Sequence, residues 1–357
     1  MNVTLFGYPK TGKTTLFNLL TGARIDLTAY EDGKKEPHLR TCHLPDPRLD
    51  RVAALYPEKR KVPASLDVID LHGISYGEVK NSTFLNFLRK ADGLVHVVRG
   101  FRDPGIPHAR DKVSPRDDIL FMEEELLLAD LLMVDGRIEK LEKDLKKLKD
   151  AEGEKERDLL KRLRPALEEG KGIRAVPLTP AEEKTIRSFS FLSQKPLLHM
   201  VNIDEQDATN SDNLAGLYQL ETDSRSLLGF CGKVEGEIME LPEEEKKLFF
   251  EEYGLCGSSA EKFFSGIPAL MDTMTFITVG KEEVRAWMIR KRTPAVKAAG
   301  EIHTDIEKGF IRAEVIPWGI LLEHASLHLP KEAGAIRLEG KEYIVQDGDV
   351  IYFRFAQ

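Results

Sequence analysis

The chain of 357 residues contains few cysteines and no long apolar run. Its three cysteines, Cys42, Cys231 and Cys256, are odd in number and far apart, so they suit neither a disulfide framework nor a zinc site. No stretch approaches the ~18 apolar residues that a membrane span requires. The first strand pattern begins almost at the N-terminus, which leaves no room for a signal peptide. These absences argue against a secreted or membrane protein, and we expect a cytoplasmic one.

Acidic residues outnumber basic ones by 60 to 52, which gives a net charge of −8. A chain with this balance binds nucleic acid only through a local basic patch, and its composition does not indicate one. Its length leaves room for two or three domains with a sizeable core.

A phosphate-binding signature is present near the N-terminus. Residues 7–14 read GYPKTGKT, which fits G-x-x-x-x-G-K-T, and they lie between a short apolar strand pattern and a helical pattern. In such a loop the backbone N–H groups and the helix N-terminus bind phosphate oxygens. Lys13 reaches the β- and γ-phosphates, and the Thr14 hydroxyl is a ligand of Mg²⁺. The motif predicts a nucleoside triphosphate site that contains Gly7, Lys10, Thr11, Gly12, Lys13, Thr14 and Thr15.

Short apolar strand patterns alternate with helical patterns in much of the chain. This alternation predicts an α/β fold with the parallel sheet of a P-loop NTPase, in which ligands bind at the carboxyl ends of the strands. We assign this domain to residues 1–120 and 191–274. Its expected strands are Val3–Gly7, Leu66–Leu71, Gly93–Val98, Leu197–Asn202 and Leu227–Gly232.

Residues 121–190 interrupt the alternation. Apolar residues at heptad spacing from Leu127 to Leu148 predict one long helix, and a second helix is expected from about Glu154 to Glu169. Because the remaining positions are highly charged, we expect an antiparallel helical hairpin, a coiled coil; two ordinary helices packed on the sheet are the alternative. Residues 275–357 predict a small α+β domain, in which Val284–Ile289 fits either a strand or a helix.

A D-x-x-G motif follows the second expected strand, from Asp70 to Gly73. A carboxylate at this point holds the Mg²⁺ shell, and the amide of the glycine binds the γ-phosphate. The motif alone is a weak signal, and it gains weight from the apolar strand before it and the P-loop upstream.

Asn202-Ile203-Asp204-Glu205 stands where guanine-specific P-loop proteins carry N-K-x-D. Glu205 is one methylene longer than the Asp that binds guanine, and Ile203 replaces the Lys whose stem packs on the base. Because lost polar contacts to a base reduce discrimination strongly, we expect weak guanine specificity and acceptance of adenine. A loop in which Glu205 is only a solvated charge is the alternative. Gly232 and Lys233, after the last strand, either contact the base or belong to an ordinary loop.

Together these features resemble the Obg-like ATPase (YchF) family over almost the whole chain. The match includes Pro45-Asp46-Pro47-Arg48-Leu49 and the strand Val95-His96-Val97-Val98-Arg99. In the C-terminal domain, residues 284–287, 298–305, 307–315, 338–343 and 346–350 resemble the TGS domain of that family. The resemblance implies a ubiquitin-like TGS fold and an ATPase that uses Mg²⁺ and associates with ribosomes.

The resemblance also implies roles for single residues. Asn202 and Glu205 correspond to the residues that read the base. Ile74 stands where many GTPases carry a water-orienting glutamine, and the family's substitute is a histidine that matches His108. An imidazole can orient or deprotonate water near neutral pH, so His108 is the expected catalytic group beside Lys13 and Lys10. An ordinary exposed loop histidine is the alternative.

Two positions depart from the family pattern. Lys10 replaces an asparagine that helps to bind a monovalent cation, and its ammonium would either take the place of that cation or point into solvent. Lys34 replaces the threonine that binds Mg²⁺, and a protonated lysine cannot be a metal ligand. Thr28 or Thr41 would have to substitute, or Mg²⁺ would keep an extra water and hydrolysis would be slow or absent.

The sequence therefore favours a slow, monomeric ATPase switch that contacts a ribosome through RNA or protein. A nucleotide-dependent adaptor with little turnover and a GTPase are the alternatives.

If the Lys10 ammonium takes the place of the monovalent cation, turnover is independent of potassium. ATP hydrolysis measured in matched potassium and sodium buffers should then give equal rates. A large difference between the two buffers would reject this role of Lys10.

Overall fold

The structure is a computed structural model that describes residues 1–25, 36–75, 77, 82–108, 110, 112–211, 213–220, 226–255, 257–325 and 335–356, with only the backbone at 82, 324 and 325. The contacts divide the chain into two units. The larger unit comprises residues 2–40 and 68–260, and the smaller unit comprises residues 1, 41–67 and 261–357.

The strands and helices follow one another in this order: β1 (Asn2–Phe6), α1 (Lys13–Thr21), β2 (His38–His43), α2 (Pro47–Ala54), β3 (Arg60–Val62), β4 (Ser65–Asp70), α3 (Ser82–Lys90), β5 (Gly93–Arg99), α4 (Pro115–Leu145), α5 (Ala151–Glu168), α6 (Pro180–Ile186), β6 (Leu197–Asn202), α7 (Leu214–Tyr218), β7 (Leu227–Phe230), α8 (Gly232–Met239), α9 (Glu243–Glu252), α10 (Ser259–Leu270), β8 (Thr273–Val279), β9 (Glu283–Arg290), α11 (Ala295–Ile302), α12 (Thr304–Lys308), β10 (Phe310–Pro317), α13 (Trp318–Ala325), β11 (Arg337–Glu339) and β12 (Asp349–Phe355). Short 3-10 helices span Ile173–Ala175, Arg187–Phe189, Leu192–Gln194 and Glu205–Asn210.

The first sheet has the strand order β2-β4-β1-β5-β6-β7. Strands β1, β5, β6 and β7 pair in parallel, with Phe6 opposite His96 and Arg99 opposite Asn202. Every residue of β5 and β6 is buried, as expected for strands covered on both faces. The predicted α/β sheet is confirmed, and all five expected strands are present within a few residues of their expected ends.

The sequence left open whether this region forms a helical hairpin or packs on the sheet. Helix α4 does both. Its first half packs in the core of the sheet through Ile119, Met122 and Leu126. Its second half packs on α5, and Val134, Ile138 and Leu141 of the expected seam are buried there. The seam ends early, because Leu148 lies beyond the helix end and is 74% exposed.

Ion pairs between the two helices agree with an antiparallel pair, which the short connection from Leu145 to Ala151 requires. Arg137 contacts Glu156 at 2.7 Å, and Lys161 contacts Glu142 at 2.5 Å. The first pair is half-buried and the second is exposed. Because ion pairs open to solvent contribute little to stability, the apolar seam is the main contact between the helices.

The smaller unit contains a second sheet with the order β11-β10-β12-β8-β9-β3. The segment Val284–Ile289 lies in strand β9, which pairs with β8 along its whole length. The short strand β3 extends this sheet by pairing in parallel with β9, from Arg60 opposite Glu283 to Val62 opposite Arg285.

Residues 41–67 and 261–274, which the sequence placed in the P-loop domain, therefore group with the C-terminal residues. Leu49 and Val52 of α2 share a buried cluster with Val284 and Ile316. Such long-range packing leaves no local pattern in the sequence.

Arg48 shows what the Pro45–Leu49 motif does in the smaller unit. Its guanidinium contacts the Asp46 carboxylate at 2.9 Å, the Thr275 hydroxyl at 2.7 Å and the Asp347 carboxylate at 2.8 Å. The two carboxylates raise the pKa of Arg48, although burial opposes this shift. The motif thus joins α2 to β8 and to the turn before β12.

Across the residues that the structure describes, no helix is both long enough and apolar enough to span a bilayer.

Candidate nucleotide-binding site

The turn between β1 and α1 has the backbone of a phosphate-binding loop. Gly7 has φ 146° and Gly12 has φ 95°, in the region that favours glycine. A Cβ atom on Gly7 would lie 2.4 Å from the Val97 carbonyl oxygen, and one on Gly12 would lie 2.3 Å from Asn202 Nδ2. Both glycines are therefore required, and the first turn of α1 directs its N–H groups toward the loop.

Lys13 lies within this turn, and its ammonium donates a hydrogen bond to the Tyr8 carbonyl oxygen at 2.6 Å. Burial lowers the pKa of Lys13 to about 8, and the nearby Asp70 carboxylate opposes the shift. An anionic polyphosphate would supply the charge partner that favours the ammonium form.

Thr14 and Asp70 could supply oxygen donors to a divalent metal. The Thr14 hydroxyl donates to Asp70 Oδ2 at 2.9 Å, and the Asp70 side chain is fully buried. Two oxygens about 3 Å apart match neighbouring ligands of an octahedral ion such as Mg²⁺. The described part of the chain has no group of three His, Cys, Asp or Glu side chains that could hold a metal by itself. The remaining ligands would therefore come from water and phosphate.

The loop after β4 packs directly on the P-loop. A Cβ on Gly73 would lie 2.6 Å from the Pro9 Cα, so this glycine allows the two backbones to approach closely. The Ile74 N–H donates to the Gly7 carbonyl oxygen at 3.2 Å, and the Ile74 side chain is buried. Ile74 is thus a core residue beside the phosphate turn.

Asn202 connects the P-loop with the loop after β7. Its Nδ2 donates to the Thr11 carbonyl oxygen at 3.2 Å, and its Oδ1 accepts from the Gly232 N–H at 3.0 Å. These bonds give Asn202 a positioning role that the sequence did not show. The Ile203 side chain is buried in the core, and Glu205 Oε2 lies 3.4 Å from Lys233 Nζ.

A cavity of about 870 Å³ joins these parts. The predicted site residues that line it are Lys10, Gly12, Lys13, Thr14, Thr15, Gly73, Asn202, Ile203, Glu205, Gly232 and Lys233. Gly7 and Thr11 do not line it; Thr11 is buried and its hydroxyl donates to the Tyr8 carbonyl oxygen at 3.2 Å.

Sequence reasoning missed a further wall of this cavity. Phe101, Arg102, Asp103 and Ile106, in the loop after β5, line it together with Pro9, His72, Asp204 and Cys231. The position of Phe101–Asp103 just beyond the carboxyl end of a central parallel strand could have indicated them.

His108 is not among the residues that line the cavity. Its Nε2 lies 3.0 Å from Asp118 Oδ2, and its Nδ1 accepts from the Arg110 N–H at 3.1 Å. Burial raises the pKa of the Asp118 carboxyl, although His108 and Arg110 beside it act in the opposite direction. Nδ1 therefore has a hydrogen-bond partner, whereas Nε2 lies beside the Asp118 carboxylate without a hydrogen bond to it, and the role of His108 as a water-orienting group stays a prediction.

Lys10 lines the cavity with its backbone in the left-handed region, at φ 61°. This conformation is unfavourable for a lysine and easier for an asparagine, the residue of the family pattern. The structure places Lys10 near the phosphate turn and leaves its catalytic role a prediction.

The second departure from the family pattern, Lys34 in place of a metal-binding threonine, lies in the segment before β2. Lys34 and Thr28 lie outside the described residues. The Thr41 hydroxyl donates to Asp67 Oδ1 at 2.6 Å, so it is bonded to a carboxylate other than Asp70. The described side chain that approaches the metal donors is instead His38, whose Nδ1 lies 3.7 Å from Asp70 Oδ2.

A parallel sheet, a glycine-flanked turn at its carboxyl edge and the Thr14–Asp70 pair define a P-loop nucleotide-binding protein. Comparison with known families agrees. Residues 2–159 match the family model described as "50S ribosome-binding GTPase", and residues 273–356 match the YchF-GTPase_C model, described as a protein of unknown function.

The chain belongs to the YchF family of Obg-like ATPases. It is 38% identical to the ribosome-binding ATPase YchF of Bacillus subtilis over 98% of both chains. It is 34% identical to the Obg-like ATPase 1 of Caenorhabditis elegans, over 99% of this chain and 92% of that protein. The structure of the Schizosaccharomyces pombe YchF GTPase superposes with a TM-score of 0.83 at 28% identity, covering 99% of this chain and 97% of that one.

Nucleotide affinity should depend on the protonation of Lys13. Because bound phosphate raises a lysine pKa that burial has lowered to about 8, binding takes up protons, and affinity falls as the pH rises from about 7.5 to about 9.5. Calorimetry in two buffers of different ionisation enthalpy measures this uptake. Lys13→Arg, which stays charged, is the control without such uptake, and a pH-independent affinity of the unaltered protein would contradict the prediction.

Proposed function

We propose that this chain binds ATP with a divalent metal, hydrolyses it slowly and acts as a ribosome-associated switch. The observation that carries the proposal is the phosphate turn, in which Lys13, Thr14 and Asp70 converge at the start of α1. The printed names of the relatives, ribosome-binding ATPase and Obg-like ATPase, support the reaction and the partner.

Each group in and around the turn would have its own role in binding the nucleotide. Backbone N–H groups of the turn and the Lys13 ammonium bind the β- and γ-phosphates. Thr14 and Asp70 hold Mg²⁺, which supplies positive charge where negative charge develops on the phosphates. The loop that contains Gly73 lies against Pro9, so its backbone amide is the candidate donor to the γ-phosphate.

The base end of the cavity favours adenine over guanine in this proposal. Guanine presents two donors to a short carboxylate in the N-K-x-D arrangement, whereas Glu205 is longer and lies 3.4 Å from the Lys233 ammonium. This exposed ion pair competes only weakly with a bound base. We expect a moderate preference for ATP, with GTP as a competing substrate. Phe101 lines the cavity and is the candidate aromatic residue for a contact with either base.

The contact of His108 with Asp118 favours a second candidate function, a nucleotide-dependent adaptor with little turnover. While Nδ1 accepts from the Arg110 N–H and Nε2 lies against the Asp118 carboxylate, outside the cavity lining, His108 is not placed to accept a proton from water in the site. Hydrolysis in the first proposal therefore requires release of His108 from Asp118. A ribosome partner would also place the protein in the cytoplasm, and we propose that it acts there as a monomer.

A single-turnover experiment tests the proposed function. Protein in excess over radiolabelled ATP and Mg²⁺ should form ADP within hours, because Lys13, Thr14 and Asp70 are placed to bind the triphosphate and its metal while His108 lies against Asp118. The Lys13→Ala variant, without the phosphate-binding ammonium, is the control for contaminating activity. Bound ATP that stays intact over the same period would favour the adaptor and contradict the ATPase proposal.

Glu205 should set the balance between the two purines. Glu205→Asp restores the side-chain length that binds guanine, so the affinity for GTP relative to ATP should rise about tenfold. Competition between labelled ATP and unlabelled GTP measures the ratio. Glu252→Asp, the same change at an exposed position of α9, should leave it unaltered. An unchanged ratio in Glu205→Asp would exclude Glu205 from reading the base.

A further inference from the structure

We propose that the imidazole of His38 is a ligand of the divalent metal that accompanies the nucleotide, and that this centre therefore binds Mn²⁺ in preference to Mg²⁺. The inference rests on the proposed function only in that it requires a bound nucleotide. It concerns a residue that neither the P-loop motif nor the D-x-x-G motif contains.

The positions of three side chains carry the inference. Asp70 Oδ2 lies 2.9 Å from Thr14 Oγ1 and 3.7 Å from His38 Nδ1. Neighbouring ligands of an octahedral ion with bonds of about 2.1 Å are about 3 Å apart. The hydroxyl already has this spacing from the carboxylate, and the imidazole reaches it with a movement of less than about 1 Å.

The setting of His38 suits a ligand better than a partner of the carboxylate. At 3.7 Å the imidazole nitrogen and Asp70 Oδ2 are too far apart for a hydrogen bond with each other. The His38 ring packs near Phe17 of α1, with ring centroids 6.2 Å apart, and this contact limits its orientation. The His38 side chain is 31% exposed; it does not line the cavity and would contact the ion from the side of Asp70.

In the sequence, His38 lies between Lys34 and Thr41, two positions considered for a metal ligand. The threonine of the family pattern is replaced by Lys34, and the Thr41 hydroxyl is bonded to Asp67. His38 is the first residue of β2, and β2 lies beside β4, the strand that ends at Asp70. The start of β2 would thus respond to the nucleotide through an imidazole–metal bond.

The change of donor alters which ion the centre prefers. Mg²⁺ requires oxygen ligands, whereas imidazole nitrogen is a good ligand of divalent transition metals. Mn²⁺ also accepts octahedral coordination by oxygen, so it can replace Mg²⁺ in nucleotide sites. A donor set of hydroxyl, carboxylate, imidazole and phosphate oxygens therefore shifts the balance toward Mn²⁺.

Pulsed electron paramagnetic resonance tests the bond directly, without relying on turnover. The full-length protein is loaded with Mn²⁺ and a non-hydrolysable ATP analogue, and nitrogen couplings to Mn²⁺ are recorded. Protein grown with ¹⁵N-labelled histidine separates an imidazole coupling from a coupling to the adenine ring. The same samples are titrated to compare the nucleotide-dependent affinities for Mn²⁺ and Mg²⁺.

We expect a histidine nitrogen coupling in the unaltered protein and in His43→Asn, a control that changes an exposed histidine further along β2. The coupling should be lost in His38→Asn, and the preference for Mn²⁺ over Mg²⁺ should fall about tenfold or more.

Two outcomes would overturn the inference in different ways. If the analogue and Mn²⁺ bind to the unaltered protein but no histidine coupling appears, His38 is not a ligand, and the nucleotide site itself stands. If the protein binds no analogue at all, the proposed function fails together with the inference. Because the spectrum of the unaltered protein decides between these outcomes, the test does not depend on the folding of His38→Asn.

Discussion

Close backbone packing around the phosphate turn is the constraint on which the other features of the site depend. Gly7 lies against the Val97 carbonyl, Gly12 against the Asn202 side chain, and Gly73 against Pro9, each at a distance that no Cβ atom would permit. These three approaches fix the turn between β1, β5, β6 and the D-x-x-G loop. The resulting backbone directs its N–H groups inward and keeps Lys13 buried beside Asp70. The affinity for phosphate is therefore set by the fold of the larger unit as much as by the side chains of the motif.

The residues predicted to act in hydrolysis are joined to the turn less directly. His108 is engaged with Asp118 at the start of α4, and Lys10 has a strained backbone at the rim of the cavity. Helix α4 extends from the core of the sheet to its contact with α5, so the contact of His108 lies on the same element as the helical pair. A partner that displaced the first turn of α4 would change the position of His108. With His108 in the proposed role, nucleotide binding and hydrolysis would be separable in this chain.

Much of the fold could be read from the sequence because its signals are local. The P-loop, the apolar strands of the parallel sheet and the heptad spacing of α4 each appear as a short pattern, and the structure contains all of them. The assignment of residues 41–67 could not be read, since β3 is a three-residue edge strand that pairs with β9 more than 200 positions away. The cavity wall at Phe101 and the approach of His38 to Asp70 also depend on which strands become neighbours. The sequence did identify the residues of the phosphate turn, because their chemistry is encoded within eight positions.

Calorimetric titration of the full-length protein with ATP in the presence of Mg²⁺ or Mn²⁺ tests the central claim most directly. The packed turn, with a buried ammonium and a helix N-terminus facing the same point, predicts saturable binding of one nucleotide per chain. It also predicts that the triphosphate binds more tightly than adenosine alone, since the contacts are made to the phosphates. The absence of heat with adenine and guanine nucleotides at millimolar concentration, in protein with native secondary structure, would contradict the account.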